Sequence, residues 1–358
     1  MDGAALEVVR DALDTGDPLP GTGGFAGEVD GRLVRDVLGR YPLFSERGDE
    51  TRWSTDRTDL DDPVRVPPGV ARDAGGDEVV WSLPEPPVSP PDEAIGAVRD
   101  AVSTSVRDVD SENLAVAFSG GVDSGLVAAG VPDAPLYVAG FEGSHDVAAA
   151  TAAADAMDRE LRVVELTHDA LRQAVPELVS AIGRDNPMDI QIALPLYLTA
   201  KQVSEDGYDR LAVGQGADEL FGGYSKVVAP ATDHRVEADT VRGATREVVA
   251  TLPDQLERDV LALRAASVEP VAPLLHDRVV DAALRLPAEL LATEDERKVA
   301  LRRAADGVLP DSVTSADKKA VQYGTYAARE LDRLARQAGF KRRMDDHVGQ
   351  YIRSLCEE

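Results

Sequence analysis

Two short clusters carry residue types at spacings suited to chemistry on a phosphate. The first, Ser119-Gly120-Gly121-Val122-Asp123-Ser124, directly follows the apolar run Leu114-Ala115-Val116-Ala117-Phe118 and precedes a helical stretch. Paired glycines let the backbone close around an anion, and the first turn of a helix offers amides with no partner of their own. The loop is therefore a candidate phosphate cradle. No Gly-Lys-Ser/Thr follows, so it differs from the Walker loop, and an acid inside a phosphate loop makes sense when a metal stands between carboxylate and phosphate. That makes Asp123 a candidate Mg²⁺ ligand; the plain alternative is a glycine turn with an ordinary helix cap. The second cluster, Gly214-Gln215-Gly216-Ala217-Asp218-Glu219-Leu220-Phe221-Gly222-Gly223-Tyr224, follows the apolar Leu211-Ala212-Val213. Loops at the carboxyl ends of two strands of one parallel sheet face the same edge, so Asp218 and Asp123 could hold one metal over a triphosphate. Its plain alternative is a turn with a solvated Asp-Glu pair.

The elements needed to position these loops are legible as a repeated strand-loop-helix pattern. Ala94 to Val106 reads as helix, Leu114 to Phe118 as a continuous apolar strand, and the segment after Ser124 as helix. Leu136-Tyr137-Val138-Ala139 and Leu161 to Leu166 read as further strands flanking the alanine-rich helix Asp146 to Met157, and a helix from Ile190 to about Val203 precedes Leu211-Ala212-Val213. Continuous apolar strands separated by helices predict a parallel sheet covered on both faces. From Val236 onward the pattern is almost wholly helical. Ser82 to Asp92 holds five prolines, which remove amide donors and fix backbone angles, so this segment reads as a linker. Before it, short runs such as Arg32-Leu33-Val34 and Val79-Val80-Trp81 among turn residues predict a small, mostly β unit.

Composition bounds the function from the other side. The chain has 358 residues, 65 acidic against 38 basic, for a net charge of -27, which repels nucleic acid and anionic membrane. No run of eighteen apolar residues occurs and the acidic N-terminus lacks a signal-peptide pattern, so a soluble, cytoplasmic protein is expected. Its one cysteine, Cys356, excludes an internal disulfide, a thiolate metal cage and a redox pair. Five histidines show no metal-ligand spacing. Only six of the cations are lysines, a balance that suggests solubility at high salt.

On these residues the chain resembles a known family. Ser119 to Ser124 looks like the pyrophosphate loop of the N-type ATP pyrophosphatases, and Gly216 to Tyr224 resembles the second signature of the asparagine synthetase C-terminal domain. Downstream, Lys298-Val299-Ala300-Leu301-Arg302 resembles that domain's Lys-x-x-Leu-Arg helix, and Lys318-Lys319-Ala320-Val321-Gln322-Tyr323-Gly324 its late lysine loop. Val268-Glu269-Pro270-Val271-Ala272-Pro273 resembles the family's Val-Glu-x-x-x-Pro segment. The resemblance implies a doubly wound α/β fold of the ATP-pyrophosphatase type over 86–358, with a helical C-terminal part, and ATP with Mg²⁺ as cofactors. It also implies nucleotide contacts at Ser119, Gly120, Gly121, Val122, Asp123, Ser124, Val138, Gly214 and Gly216, metal ligation by Asp123 and Asp218, and catalytic roles at Lys298, Lys318 and position 215. With so few lysines in the chain, Lys298 and Lys318 suit the departing pyrophosphate. More faintly, Gly31 to Phe44, with Arg35-Asp36-Val37-Leu38-Gly39-Arg40-Tyr41-Pro42-Leu43, looks like the later part of the family's glutaminase domain. Position 2 is Asp2 where that domain has a nucleophilic cysteine, so residues 1–85 are expected to be a shortened, inactive glutaminase-like unit.

The implied reaction joins a carboxylate to an amine, with an acyl-adenylate between, and releases AMP and pyrophosphate; aspartate and ammonia are the default pair. Two departures qualify it. Gln215 stands where the family has a glutamate, and an amide cannot accept a proton as a carboxylate base does. Gln191 aligns where an arginine would grip an aspartate carboxylate, with Ala193 and Leu194 at neighbouring hydroxyl positions. These favour another acid or another amine. A separate glutaminase subunit and a homo-oligomer stay open as partners, and a catalytically silent nucleotide-binding scaffold is the alternative outside enzymes.

Overall fold

A computed structural model describes residues 1–141, 143–315 and 323–357. The N-terminal part comprises α1 (Leu6–Thr15), β1 (Ala26–Val29), β2 (Arg32–Arg35), β3 (Phe44–Glu46), β4 (Asp49–Ser54), β5 (Pro63–Arg65), β6 (Val70–Asp73) and β7 (Gly76–Val79). These strands make two antiparallel sheets, β1-β2-β6-β7 and β4-β3-β5. The helix α1 adds to the β unit read from sequence. It forms because Val9, Ala12 and Leu13 share one helical face, which packs on Phe25, Val29, Val34 and Trp81.

The proline-rich segment runs on without regular structure from there, and it is pinned. Its prolines offer carbonyls but no donors, and Arg246 donates to the carbonyls of Leu83 and Pro84. The Ser89 N–H donates to Arg285 O at 2.9 Å.

The remainder follows the strand-loop-helix pattern. Its first half holds α2 (Pro91–Arg107), β8 (Leu114–Ala117), α3 (Val122–Gly130), β9 (Leu136–Gly140), α4 (His145–Ala156), β10 (Leu161–Glu165), α5 (His168–Ile182), α6 (Pro187–Glu205) and β11 (Arg210–Ala212). Then come α7 (Ala217–Leu220), α8 (Val241–Val249), α9 (Leu252–Ala265), β12 (Glu269–Val271), α10 (Asp277–Leu284), α11 (Ala288–Leu291), α12 (Val299–Ala305), α13 (Asp311–Thr314), α14 (Tyr323–Gln337) and α15 (His347–Cys356). The five strands form one parallel sheet in the order β10-β9-β8-β11-β12. Alternate strand residues feed two separate cores. Leu114, Val116, Leu136 and Val138 join α2, α3, α4, α10 and α12 on one face, while Ala115, Tyr137, Ala139 and Leu211 join α5, α6, α9, α14 and α15 on the other. The sheet is therefore doubly wound, as the continuous apolar strands predict.

One expectation is corrected. The chain after Val236 is not wholly helical, since Glu269-Pro270-Val271 pairs with β11 as the fifth strand. Its proline is tolerated because β12 lies at the sheet's edge and needs donors on one side only.

The strand order sets the site. Going from β8 to β9 and β10 the chain steps one way across the sheet, whereas β11 and β12 lie on the other side of β8. The loops after β8 and β11 thus diverge from neighbouring strands, the crevice where open α/β sheets bind ligands. No helix among the described residues is long and apolar enough to cross a membrane.

Candidate active site

The loop after β8, the candidate anion cradle, is a tight turn. Gly120 adopts φ 77, and a Cβ there would stand 2.9 Å from Ala150 Cα and 3.0 Å from Ala149 O, so only glycine fits the turn against α4. The Ser119 N–H donates to Ser124 Oγ at 3.2 Å, the two serine hydroxyls lie 3.2 Å apart, and Ser124 Oγ donates to Gly121 O at 3.3 Å. These contacts curl the loop onto the start of α3, whose first residues are Val122 and Asp123. Val138, two positions before the end of β9, is buried in the core beneath.

The loop after β11 closes on it. A Cβ at Gly214 would lie 3.0 Å from Asp123 Cβ, which shows how nearly the two backbones touch. Gly216 precedes α7 and lies against Leu275, and Asp218 stands in the first turn of α7. Lys298 arrives from the far end of the sequence at the N-terminus of α12, and its Nζ sits 2.5 Å from Asp123 Oδ2 and 2.7 Å from Asp218 Oδ1. Burial works against the ammonium, which is 3 % exposed, but the two carboxylates overcome it and hold the lysine pKa above its ordinary value. Its backbone is in the left-handed region at φ 59, a conformation that costs a side-chain-bearing residue about 1–2 kcal/mol. The loop is braced for it, as Arg297 Nη1 donates to Gly223 O at 2.8 Å and Arg302 Nε to Arg297 O at 3.1 Å. Gly223 completes the crowding, since a Cβ there would stand 2.0 Å from Asp218 Oδ1.

The donor set fits Mg²⁺. One oxygen each of Asp123 and Asp218 converges on a single cationic atom, and Asp123 Oδ1 is buried with no hydrogen-bond partner. Among the described residues no cluster of three or more His, Cys, Asp or Glu offers a complete cage. Two carboxylates with phosphate oxygens and water completing the shell are what a hard, reluctantly dehydrated cation takes. Beside this centre Glu219 is buried and accepts a bond of 2.6 Å from Tyr224 Oη; burial raises its pKa and raises that of Tyr224 as well. Lys318 lies outside the described residues.

Gln215 leads to a group of residues that the sequence reading did not bring together. Its Nε2 donates to Asp259 Oδ2 at 2.5 Å. Arg258 donates from Nε to Asp259 Oδ1 at 2.7 Å and from Nη2 to Oδ2 at 3.1 Å, and from Nη1 to Asp189 Oδ1 at 3.1 Å. Arg184 continues the chain, 3.5 Å from Asp189 and 2.8 Å from Glu257 Oε1, and Arg35 of β2 reaches Glu257 Oε2 at 3.4 Å. Gln191, one turn into α6, is half-buried, and Arg258 and Arg184 are engaged by protein carboxylates. The signal in the sequence was Glu257-Arg258-Asp259 within α9; three successive charges cannot share one solvated face of a helix.

A cleft of about 870 Å³ lies elsewhere, between the N-terminal part and β12, lined among others by Asp2, Tyr41, Asp56, Arg264 and Glu269. None of its lining residues belongs to the loops after β8 or β11. The glycine loop and the convergent carboxylates lie instead at the sheet's switch point, which makes that the candidate site.

Fold and site together define a doubly wound α/β protein with a glycine-rich anion loop and a paired-carboxylate centre. The asparagine synthase family profile matches residues 96–242 and 230–348, and the chain belongs to that family. It is 28% identical over 298 residues to a Methanocaldococcus jannaschii protein named as a glutamine-hydrolyzing asparagine synthetase, covering 73% of this chain and 54% of that one. Similar relatives are the glutamine-hydrolyzing asparagine synthetase of Brassica oleracea, 25% identical with 76% and 51% covered, and asparagine synthetase B of Escherichia coli K12, 24% identical with 62% and 43% covered. The chain spans about half the length of the curated relatives it matches.

Proposed function

We propose that this chain is an ATP-dependent, amide-forming ligase that adenylates a carboxylate and transfers the acyl group to an amine. The observation that carries this reading is the convergence of Asp123, Asp218 and Lys298 over the cradle after β8. The amides of the loop and the hydroxyls of Ser119 and Ser124 bind and orient the phosphates, and Lys298, with Lys318 expected to join it, offers positive charge to the departing pyrophosphate. Asp123 and Asp218 would hold Mg²⁺, which supplies charge neutralisation on the triphosphate. The carboxylate oxygen attacks the α-phosphorus and pyrophosphate leaves; the amine then attacks the acyl carbon, the C–O bond breaks, and AMP departs with that oxygen. Aspartate is the default acid, since the relatives are named as asparagine synthetases, and ammonia the default amine in place of the glutamine that those names carry.

A second reading keeps the adenylation and changes the acid or the amine. Gln215 and the engagement of Arg184 and Arg258 by protein carboxylates favour it, because these two guanidiniums are already bonded and Gln191 offers no charge to an α-amino acid carboxylate. The test is exchange of labelled pyrophosphate into ATP by the purified chain across a panel of acids that includes aspartate and glutamate, with Asp123→Ala alongside. Exchange that requires an acid and is lost in the variant supports the ligase. ATP binding without exchange on any acid would sink it and leave a nucleotide-binding scaffold.

A further inference from the structure

The cleft between the N-terminal part and β12 is lined with hydrogen-bond acceptors that the fold leaves unused. Its volume of about 870 Å³ suits a small organic ligand. Ser105 of α2 lines it while only 4 % exposed, and its Oγ is buried with no hydrogen-bond partner. A helical serine can return its hydroxyl to a carbonyl one turn back, and a buried hydroxyl left unbonded is costly. This one points to a partner that the protein does not supply. Asp108, one turn further along the same face of α2, lines the cleft as well. The free edge of β12 adds a carbonyl. Glu269 N–H donates to Asp209 O at 2.8 Å and Val213 N–H to Val271 O at 2.9 Å, so these two residues face β11 and Pro270 between them turns its carbonyl to the open edge. Proline has no N–H, so the edge offers an acceptor there and no donor.

The charges in the cleft point the same way. Its lining holds five carboxylates and two guanidinium groups. Both arginines are spent. Arg264 bonds Asp2 at 2.8 Å and Glu269 at 2.8 and 3.1 Å, and Arg210 donates to Asp110 O at 2.9 Å. Asp108 meets Arg278 through Oδ2 at 2.6 Å, whereas Asp56 and Asp59 accept from Thr58 and Ser54 and form no ion pair among the described residues. His276 adds no charge, since burial and the neighbouring Arg278 hold its pKa below the ordinary value. We propose that this cleft binds a small aliphatic diamine, one ammonium group held by Ser105, Asp108 and the Pro270 carbonyl from the sheet domain and the other by Asp56 and Asp59 from the N-terminal part. An ammonium group brings three donors and no acceptor, which matches this lining, and the methylenes between find apolar surface on Val271 and Pro273. The lining shares no residue with the loops after β8 and β11, so the proposal goes beyond the ligase reading and does not depend on it.

The experiment is calorimetric titration of the full chain in about 2 M KCl, where diffuse attraction of cations to an acidic surface is screened. The probes are putrescine, n-butylamine, tetramethylammonium, glutamine and succinate. Putrescine should bind one to one. n-Butylamine, lacking the second charge, should bind about 10-fold more weakly, and tetramethylammonium, which has no N–H to donate, should not bind. Ser105→Ala should weaken putrescine by about 10-fold while the melting temperature of the free chain stays the same or rises, because the hydroxyl has no partner to lose. A serine with a merely structural role would lower the melting temperature and leave binding alone. Asp56→Asn, which keeps the cap on Thr58, should weaken putrescine at least as much. No putrescine binding, equal binding of tetramethylammonium, glutamine or succinate, or unchanged binding in both variants would overturn the proposal. None of these readings uses ATP or pyrophosphate exchange, so the ligase reading can fail without touching them.

Discussion

Two buried cations in this protein are each gripped by a pair of aspartates, and they are built differently. Arg258, inside α9, satisfies both oxygens of Asp259 with a two-pronged fork and reaches Asp189 with its third nitrogen. Lys298 meets Asp123 and Asp218 with one compact ammonium, from a left-handed backbone at a helix start, and leaves Asp123 Oδ1 buried without a partner. A planar fork fixes its acceptors in orientation, whereas a point charge can be exchanged for another cation without rebuilding the site. The first cluster has the geometry of scaffold and holds the Gln215 side chain; the second has the geometry of the cation centre proposed above. A second arginine, Arg40, shows the scaffold pattern again. It lies between Asp36 and Asp277, at 2.9 and 2.7 Å, and locks the N-terminal part onto the start of α10.

The contrast can be broken by exchanging what each cation does. The largest effect is expected at Lys298→Met, which should cut acid-dependent pyrophosphate exchange by about 10²–10³-fold. It should also make thermal stability metal-dependent, with a melting temperature lowered in EDTA and recovered by millimolar Mg²⁺, because two facing carboxylates are left without a cation. A melting temperature indifferent to Mg²⁺ would deny that Asp123 and Asp218 form a cation site.

Arg258→Met should give the opposite pattern. Removing one partner of a buried pair strands the other charges, so a loss of about 3–5 kcal/mol is expected in denaturant melts, with no recovery by Mg²⁺. A loss below about 1 kcal/mol would place this cluster with ordinary surface pairs.

A smaller effect isolates the pH dependence of the scaffold cluster. Burial opposes the Asp189 carboxylate, but bonds from Asn186 and Arg258 and the charge of Arg184 overcome it, and its pKa lies below the ordinary value. Its folded pKa is thus below its unfolded one. The stability it contributes is present above the unfolded value of about 4 and is lost as pH falls through the folded one. Asp189→Asn should melt a few degrees below the wild type at pH 7, with the gap narrowing as pH falls below about 4. A gap constant with pH would mean that the aspartate acts by packing alone.

How much of this was legible follows from what each feature depends on. The cradle could be read because a continuous apolar strand, two glycines and a helix start are local signals, and the meeting of Asp123 with Asp218 followed from the geometry of parallel strand ends. Lys298 was reached through resemblance, since nothing local marks a lysine as buried. The strand β12 was missed because three residues with a central proline carry no period, and only pairing with β11 makes them a strand. The Arg258 cluster was missed because its meaning depends on burial from several sides, including an arginine from β2 and an aspartate from α6. Local chemistry shows in a sequence; charge compensation assembled from distant segments does not.

Adenylation is tested most directly by following the substrate's oxygen. The chain would be supplied with Mg·ATP, ammonium chloride and an acid that supports pyrophosphate exchange, labelled with ¹⁸O in its carboxylate, and the products read by mass spectrometry. Attack of the carboxylate on the α-phosphorus over Asp123, Asp218 and Lys298 predicts one ¹⁸O in AMP and none in pyrophosphate. Label in inorganic phosphate with ADP as the nucleotide product would contradict it, and would mean that the acid is activated at the γ-phosphate instead.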